Sequence, residues 1–162
     1  MGAAGLRAAE EVREAVRAGA EFVLTASTDL EVIRACQDAH TLAIPGALTP
    51  TEIGQAWSLR TGLVAIFPAG RVGPDYLRDL LRTMPEVAAV ATGGITPENA
   101  GRFIRAGAAA VVAMEEPDAP GGRDYDAMTR RAQALVATVE RARAQSAWPT
   151  PPVRPTEGPD IK

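Results

Sequence analysis

The sequence predicts an α/β protein, an incomplete TIM-type β/α barrel of five to six parallel βα units, and three observations lead there. Short, almost wholly apolar strand segments alternate with amphipathic helical segments over residues 1–145, the pattern of parallel strands covered on both faces. The strand starts Phe22, Leu42, Leu63, Val87 and Ala109 recur every 20 to 24 residues. One strand-turn-helix pattern serves throughout, with Arg-Ala-Gly-Ala preceding two of the strands at residues 17–20 and 105–108. Such uniform units suit a barrel better than a doubly wound sheet. A full barrel takes eight strands in ~250 residues, with ~200 as the lower limit, so 162 residues are expected to hold only part of one.

Each element follows from local chemistry. Leu6, Val12 and Val16 among Arg and Glu predict an amphipathic helix over 7–18, ended by Gly19. Phe22-Val23-Leu24 is too short for a helix and reads as a strand. Ser27 or Thr28 is the expected cap of a helix over 29–37, with Leu30, Ile33 and Cys36 facing inward. Leu42-Ala43-Ile44 is a strand, closed by Pro45-Gly46. Thr49, Pro50 and Glu52 supply a cap, a proline at the first helical position and a carboxylate at the third, so a helix runs to about Ser58. A strand over 63–67, a helix over 74–84 and a strand over 87–92 follow. Thr96-Pro97-Glu98-Asn99 opens a further helix ending near Gly107; 109–113 is the last strand and 124–145 a long final helix. A sixth strand at Met1 is possible. Residues 146–162 hold five prolines and few apolar side chains, and read as a disordered Pro-rich tail.

Composition excludes several functions. The net charge of −3 and balanced acids and bases argue against a nucleic-acid binder. No apolar run approaches the ~18 residues of a membrane span, and the start carries no secretory or myristoylation signal. The expectation is a soluble, cytoplasmic protein. One cysteine, Cys36, and one histidine, His40, permit neither an internal disulfide nor a Cys/His zinc site. Sixteen of the seventeen basic residues are Arg, and the only lysine is Lys162. Interior Schiff-base chemistry therefore has no amine.

Three stretches together carry a resemblance: Ile44-Pro45-Gly46 with Thr49-Pro50-Thr51-Glu52; Phe67-Pro68-Ala69; and Thr92-Gly93-Gly94-Ile95-Thr96-Pro97-Glu98-Asn99. In this order and spacing, over roughly residues 1–115, the chain resembles the 2-dehydro-3-deoxy-phosphogluconate / 4-hydroxy-2-oxoglutarate aldolase family. The resemblance implies a trimeric β/α barrel of class I aldolases, which split a 2-oxo acid into pyruvate and an aldehyde and need neither cofactor nor metal. It places Met1 near the family's third strand, so the first two βα units would be absent. The family's acid/base glutamate and carboxylate-binding arginine come from that region.

The resemblance carries over unevenly. The position of the Schiff-base lysine, two before Phe67, is Ala65, and a methyl group forms no iminium. No catalytic residue is therefore assigned. A substrate-binding threonine corresponds to Gly5 and a pocket proline to Ala26. Pro45, Phe67 and Pro68 remain as pocket candidates at the C-terminal strand face. Thr92, Gly93 and Gly94 remain as phosphate-binding candidates, with backbone N–H groups where a helix begins. The family's Gly/Ser loop that completes this site reads Ala113-Met114-Glu115-Glu116 here, and each carboxylate opposes a phosphate by ~1 kcal/mol at ~4 Å in water.

Other polar groups have plainer readings. Glu52 is a capping carboxylate, and Glu115, Glu116, Asp118, Asp124 and Asp126 form a solvated acidic loop rather than a metal site. His40 sits past a helix end without a triad, and Cys36 is a small core residue. A partial barrel leaves two open edges. A homo-oligomer, a partner chain supplying the missing units, or a misassigned gene start would each cover them. Three functions follow from the sequence: a catalytically degenerate homologue binding a 2-oxo acid or sugar acid; a structural or interaction subunit; or an active lyase completed by another chain or an upstream segment.

Overall fold

The computed structural model describes residues 1–114 and 124–146; the predicted tail lies outside them beyond Ser146. The described residues divide into two compact units, one of 1–67 with 86–89, the other of 68–85 with 90–146.

The first unit opens with β1 (Gly2–Ala4), the strand that the sequence offered only as possible, followed by α1 (Ala9–Arg17) and β2 (Phe22–Leu24). Then come α2 (Leu30–Asp38), β3 (Leu42–Ile44), β4 (Gly46–Ala47), α3 (Pro50–Ser58) and β5 (Val64–Ile66). β1 pairs with β2 and β2 with β3, all parallel, in the register Gly2, Phe22, Leu42. β4 pairs in parallel with β5, Gly46 opposite Ala65, and the Val64 N–H donates to the Ala88 carbonyl at 3.0 Å. Val12, Val23, Val32, Ile33, Ala35, Cys36 and Ala43 close the core between α1, α2 and the strands. Each large apolar side chain so buried contributes ~1.5–3 kcal/mol.

Three local expectations are corrected here. The helix α2 is capped by Asp29, whose carboxylate accepts from the Glu31 and Val32 N–H groups at 2.9 and 3.2 Å. Thr28, an expected cap, instead donates its hydroxyl to the Gly46 carbonyl at 3.1 Å. Leu30 does not face inward; it is 50% exposed, and Val32 and Ala35 join Ile33 and Cys36 in the core. The reason is phase: moving the cap to Asp29 sets Leu30 in the first turn, before the buried stripe begins. Pro45 ends β3 at Ile44 as expected, but Gly46, read with it as the closure, opens a further short strand, β4. Proline has no N–H to give a ladder, so pairing with β2 stops at Ile44 and resumes on the other side as β4.

The second unit holds α4 (Ala69–Thr83), β6 (Ala89–Thr92, from Val90 onward in this unit), α5 (Pro97–Arg105), β7 (Ala110–Val112) and α6 (Tyr125–Ala144). β6 and β7 are parallel, Thr92 opposite Val112. The helix expected over 74–84 starts five residues earlier, at Ala69, and is kinked at Gly73, whose φ of 83° is not helical. The sequence signal at Pro74 marks only the second piece. α5 packs on α6, where a side chain at Gly101 would meet Thr138 and Ala142. Arg143 ties α6 to the Ala109 carbonyl at 2.7 Å.

The cap of α3 forms as predicted. The Thr49 hydroxyl accepts from the Glu52 N–H at 3.4 Å, and the Glu52 carboxylate accepts from the Thr49 and Leu48 N–H groups at 2.8 and 3.0 Å. Those backbone hydrogen bonds, the one from Thr49 first, hold the Glu52 carboxyl below its ordinary range. A carboxylate whose folded pKa is depressed stabilises above its unfolded pKa, and that contribution vanishes as pH falls through the folded value. Thr49→Ala is expected to cost ~1 kcal/mol in denaturant melts. Glu52→Gln should lower the melting temperature at pH 7, with the difference from wild type closing as the pH drops through and below the glutamate range.

Candidate functional site

The position where the family resemblance puts the reactive amine is buried in β5. Ala65, central in β5, is completely buried, and its N–H donates to the Pro45 carbonyl at 2.8 Å. Pro45 is itself buried and acts here through its carbonyl, which ties β5 to the 42–47 strand. Phe67 is partly exposed just past β5, its N–H donating to the Ala47 carbonyl at 3.1 Å. Gly5 follows β1 with a φ of 79° and donates its N–H to Leu24 at 2.9 Å. Ala26, at the other carried-over position, presses its backbone against Gly46, where an added Cβ would collide with the Ala26 carbonyl. The chain's one lysine is Lys162, so the described residues contain none. This strand end offers no lysine for a carbonyl carbon.

The second unit places Pro68 as the half-buried residue before α4 and gathers the anion candidates into one turn. Thr92 ends β6 at 1% exposure, and its Oγ1 is buried with no hydrogen-bond partner among the described residues. Gly93 and Gly94 follow with φ of 78° and 76°, a backbone that side-chain-bearing residues rarely take. α5 then starts at Pro97. The Asn99 side chain spans the turn, its Nδ2 donating to the Gly94 carbonyl at 2.8 Å and its Oδ1 accepting from the Thr96 N–H at 2.9 Å. The Gly70 N–H donates to the Gly93 carbonyl at 2.8 Å. In the sequence Asn99 reads as part of a helix start, three residues after the cap threonine, and the one signal at Gly70 is that it directly follows Phe-Pro-Ala.

Electrostatics at this turn are mixed. Successive backbone N–H groups ahead of a helix favour an anion. Glu98, in the first turn of α5, is held below the usual carboxylate range, first by the Thr96 hydroxyl and then by its own backbone N–H, so it stays charged nearby. Met114 is exposed after β7, while Glu115 and Glu116, the expected repelling pair, lie outside the described residues.

Parallel βα units, a Phe-Pro-Ala strand end and a Thr-Gly-Gly turn before a helix define a protein of the aldolase-barrel class. The comparison with known families names it further. The KDPG and KHG aldolase family model matches residues 1–127, and the chain belongs to that family. It is 34% identical over 110 residues to 2-dehydro-3-deoxy-6-phosphogalactonate aldolase of Escherichia coli K12, covering 67% of this chain and 54% of that relative. It is also 30% identical over 105 residues to 2-dehydro-3-deoxy-phosphogluconate aldolase of Treponema pallidum, covering 64% and 50%. The chain thus spans about half the length of the curated relatives it matches. Among solved structures, native KDPGal superposes with a TM-score of 0.79 at 29% identity, over 87% of this chain and 68% of that one.

His40 follows the C-cap of α2 with a φ of 52°. Asp124 caps α6, accepting from the Ala127 N–H at 2.9 Å, and Asp126 lies in that helix's first turn; Asp118 lies outside the described residues. No group of three metal-ligating side chains occurs among the described residues, and no helix there is long and apolar enough to cross a membrane. Cys36 is wholly buried on α2, and desolvation pushes its thiol up to about 11, which withholds the nucleophilic thiolate. Iodoacetamide at pH 8 is therefore expected to leave the native protein unmodified and to alkylate Cys36 once the chain is unfolded. Mass spectrometry of the two samples checks this.

Proposed function

We propose that this chain is a catalytically inactive member of its family that binds a 2-oxo acid or a phosphorylated sugar acid without cleaving it. One observation carries the reading: position 65 is a buried methyl group where the family resemblance puts the imine-forming lysine. Without an iminium there is no electron sink for breaking a carbon–carbon bond beside the carbonyl. Binding needs less. The Thr92-Gly93-Gly94 turn supports an anion, and Phe67 and Pro68 supply apolar surface at the ends of strands, where this fold class keeps its ligands. Both relatives are named as aldolases of 2-dehydro-3-deoxy sugar acids, and a sugar acid phosphate is a ligand class whose phosphate suits an anion turn.

Pyruvate followed by borohydride tests inactivity directly. The wild-type chain should show no reduced adduct by intact mass. Ala65→Lys should gain one, because an amine placed in a desolvated site titrates low and becomes nucleophilic. A wild-type adduct mapped to a described residue would overturn the reading.

A second reading, an oligomeric or partner-supported subunit, is favoured by β1. Among the described residues this three-residue strand pairs only with β2 within its sheet, an edge that another chain could extend. A related solved chain belongs to a protein cage designed by fusing symmetric oligomeric domains, and superposes with a TM-score of 0.80 over 89% of this chain and 53% of that one. Self-association in the soluble cytoplasm, or a partner that also completes an active lyase, would use that edge. Light scattering after size exclusion should then give a mass above the 16.9 kDa of one chain. A well-folded monomer that binds a sugar acid phosphate would count against this second reading.

A further inference from the structure

Two residues outside the Thr92–Ile95 turn decide which way its peptides face, and both lie in the same compact unit as the turn. The Gly93 carbonyl accepts from the Gly70 N–H at 2.8 Å, and the Gly94 carbonyl accepts from Asn99 Nδ2 at 2.8 Å. In a trans peptide the N–H points opposite to the carbonyl of the same unit. Holding the Gly93 carbonyl on Gly70 therefore turns the Gly94 N–H away from Gly70. Holding the Gly94 carbonyl on Asn99 turns the Ile95 N–H away from that side chain. Thr92, one residue earlier, keeps a buried hydroxyl oxygen without a partner among the described residues, a group that ordinarily finds one.

Gly70 has no room to be anything else. A Cβ there would stand 2.7 Å from the Gly94 oxygen and 2.9 Å from both the Gly93 oxygen and the Gly94 Cα. These are backbone atoms, so the turn rather than a flexible side chain would have to move. Asn99 is similarly constrained, since its two ends serve two different backbone groups, and no residue lacking both a donor and an acceptor replaces it.

We propose that Gly70 and Asn99 are positioning residues, a two-point carbonyl clamp that aims the Gly94 and Ile95 N–H groups at the phosphate of the bound ligand. The inference rests on the anion-binding reading of this turn. Neither residue touches the ligand; each acts by fixing a carbonyl and, through the rigid peptide, the donor on its other side. Preorganised donors bind more tightly because no ordering is left to do on binding.

The test titrates inorganic phosphate into the full ¹⁵N-labelled chain and follows backbone amides by NMR. In the wild type the Gly94 and Ile95 amides should shift saturably. Gly70→Ala should displace those two amides before any phosphate is added and weaken phosphate about tenfold, the scale of one lost hydrogen bond to a charged group. Asn99→Ala should do the same and carries the test if Gly70→Ala fails to fold. Gly101→Ala crowds α6 in the same unit but touches neither carbonyl, and should leave the affinity unchanged. If both clamp variants bind phosphate as tightly as wild type, the clamp is wrong and the anion reading survives. An equal loss in Gly101→Ala would overturn the clamp as mere destabilisation. If phosphate never moves Gly94 and Ile95 in the wild type, the anion reading falls and the clamp with it.

Discussion

A strand buried on both sides in a parallel sheet must place all its N–H groups, and Pro45 has none to place. The first unit is arranged around that fact. Residues 42–44 pair with β2, the ladder lapses at the proline, and residues 46–47 pair with β5. The Pro45 carbonyl is not lost, because the Ala65 N–H takes it at 2.8 Å. The residue after the proline must be glycine for a separate reason: a Cβ at Gly46 would run into the backbone of Thr25 and Ala26. The Thr28 hydroxyl then secures the Gly46 carbonyl. The chain thus passes at Pro45 from pairing with β2 to pairing with β5, while Asp29 caps α2 and Thr28 holds the Gly46 carbonyl.

That hand-over also fixes what stands at position 65. Ala65 is opposite Gly46 in the ladder and fully buried, so its surroundings are closed backbone and apolar side chains. A lysine at such a place, in a barrel that forms an imine, would be desolvated and low in pKa, which is how such a scaffold makes an amine nucleophilic at neutral pH. Here the scaffold retains the desolvation and carries no amine. Membership in the aldolase family and absence of the lysine chemistry at this position are compatible, because the fold is maintained by strand pairing and packing while chemistry depends on one side chain.

In the Thr92–Ile95 turn of the second unit, two carbonyls are held by groups outside the turn. Gly70 lies 23 residues before Gly93, and its amide holds that carbonyl. This arrangement explains why two consecutive glycines with positive φ are stable here: both of their carbonyls are tied down.

The sequence by itself determined the alternation of strand and helix, because apolar runs and caps are local signals. The Thr49-Pro50-Glu52 start of α3 and the inward Val12 follow from spacing alone. It determined the missing amine too, since counting lysines needs no coordinates. Tertiary structure decided the rest. That a second short strand follows directly at Gly46 depended on β5 being there to pair. The choice of Asp29 over Thr28 as cap depended on what else needed the Thr28 hydroxyl. The first helical piece of α4, before Gly73, has no periodic signal of its own. Gly70 looked like an ordinary loop glycine until the Gly93 and Gly94 carbonyls came within 3 Å of its would-be side chain. Local pattern specifies which conformation a segment prefers; only the folded chain specifies which distant backbone group will be waiting beside it.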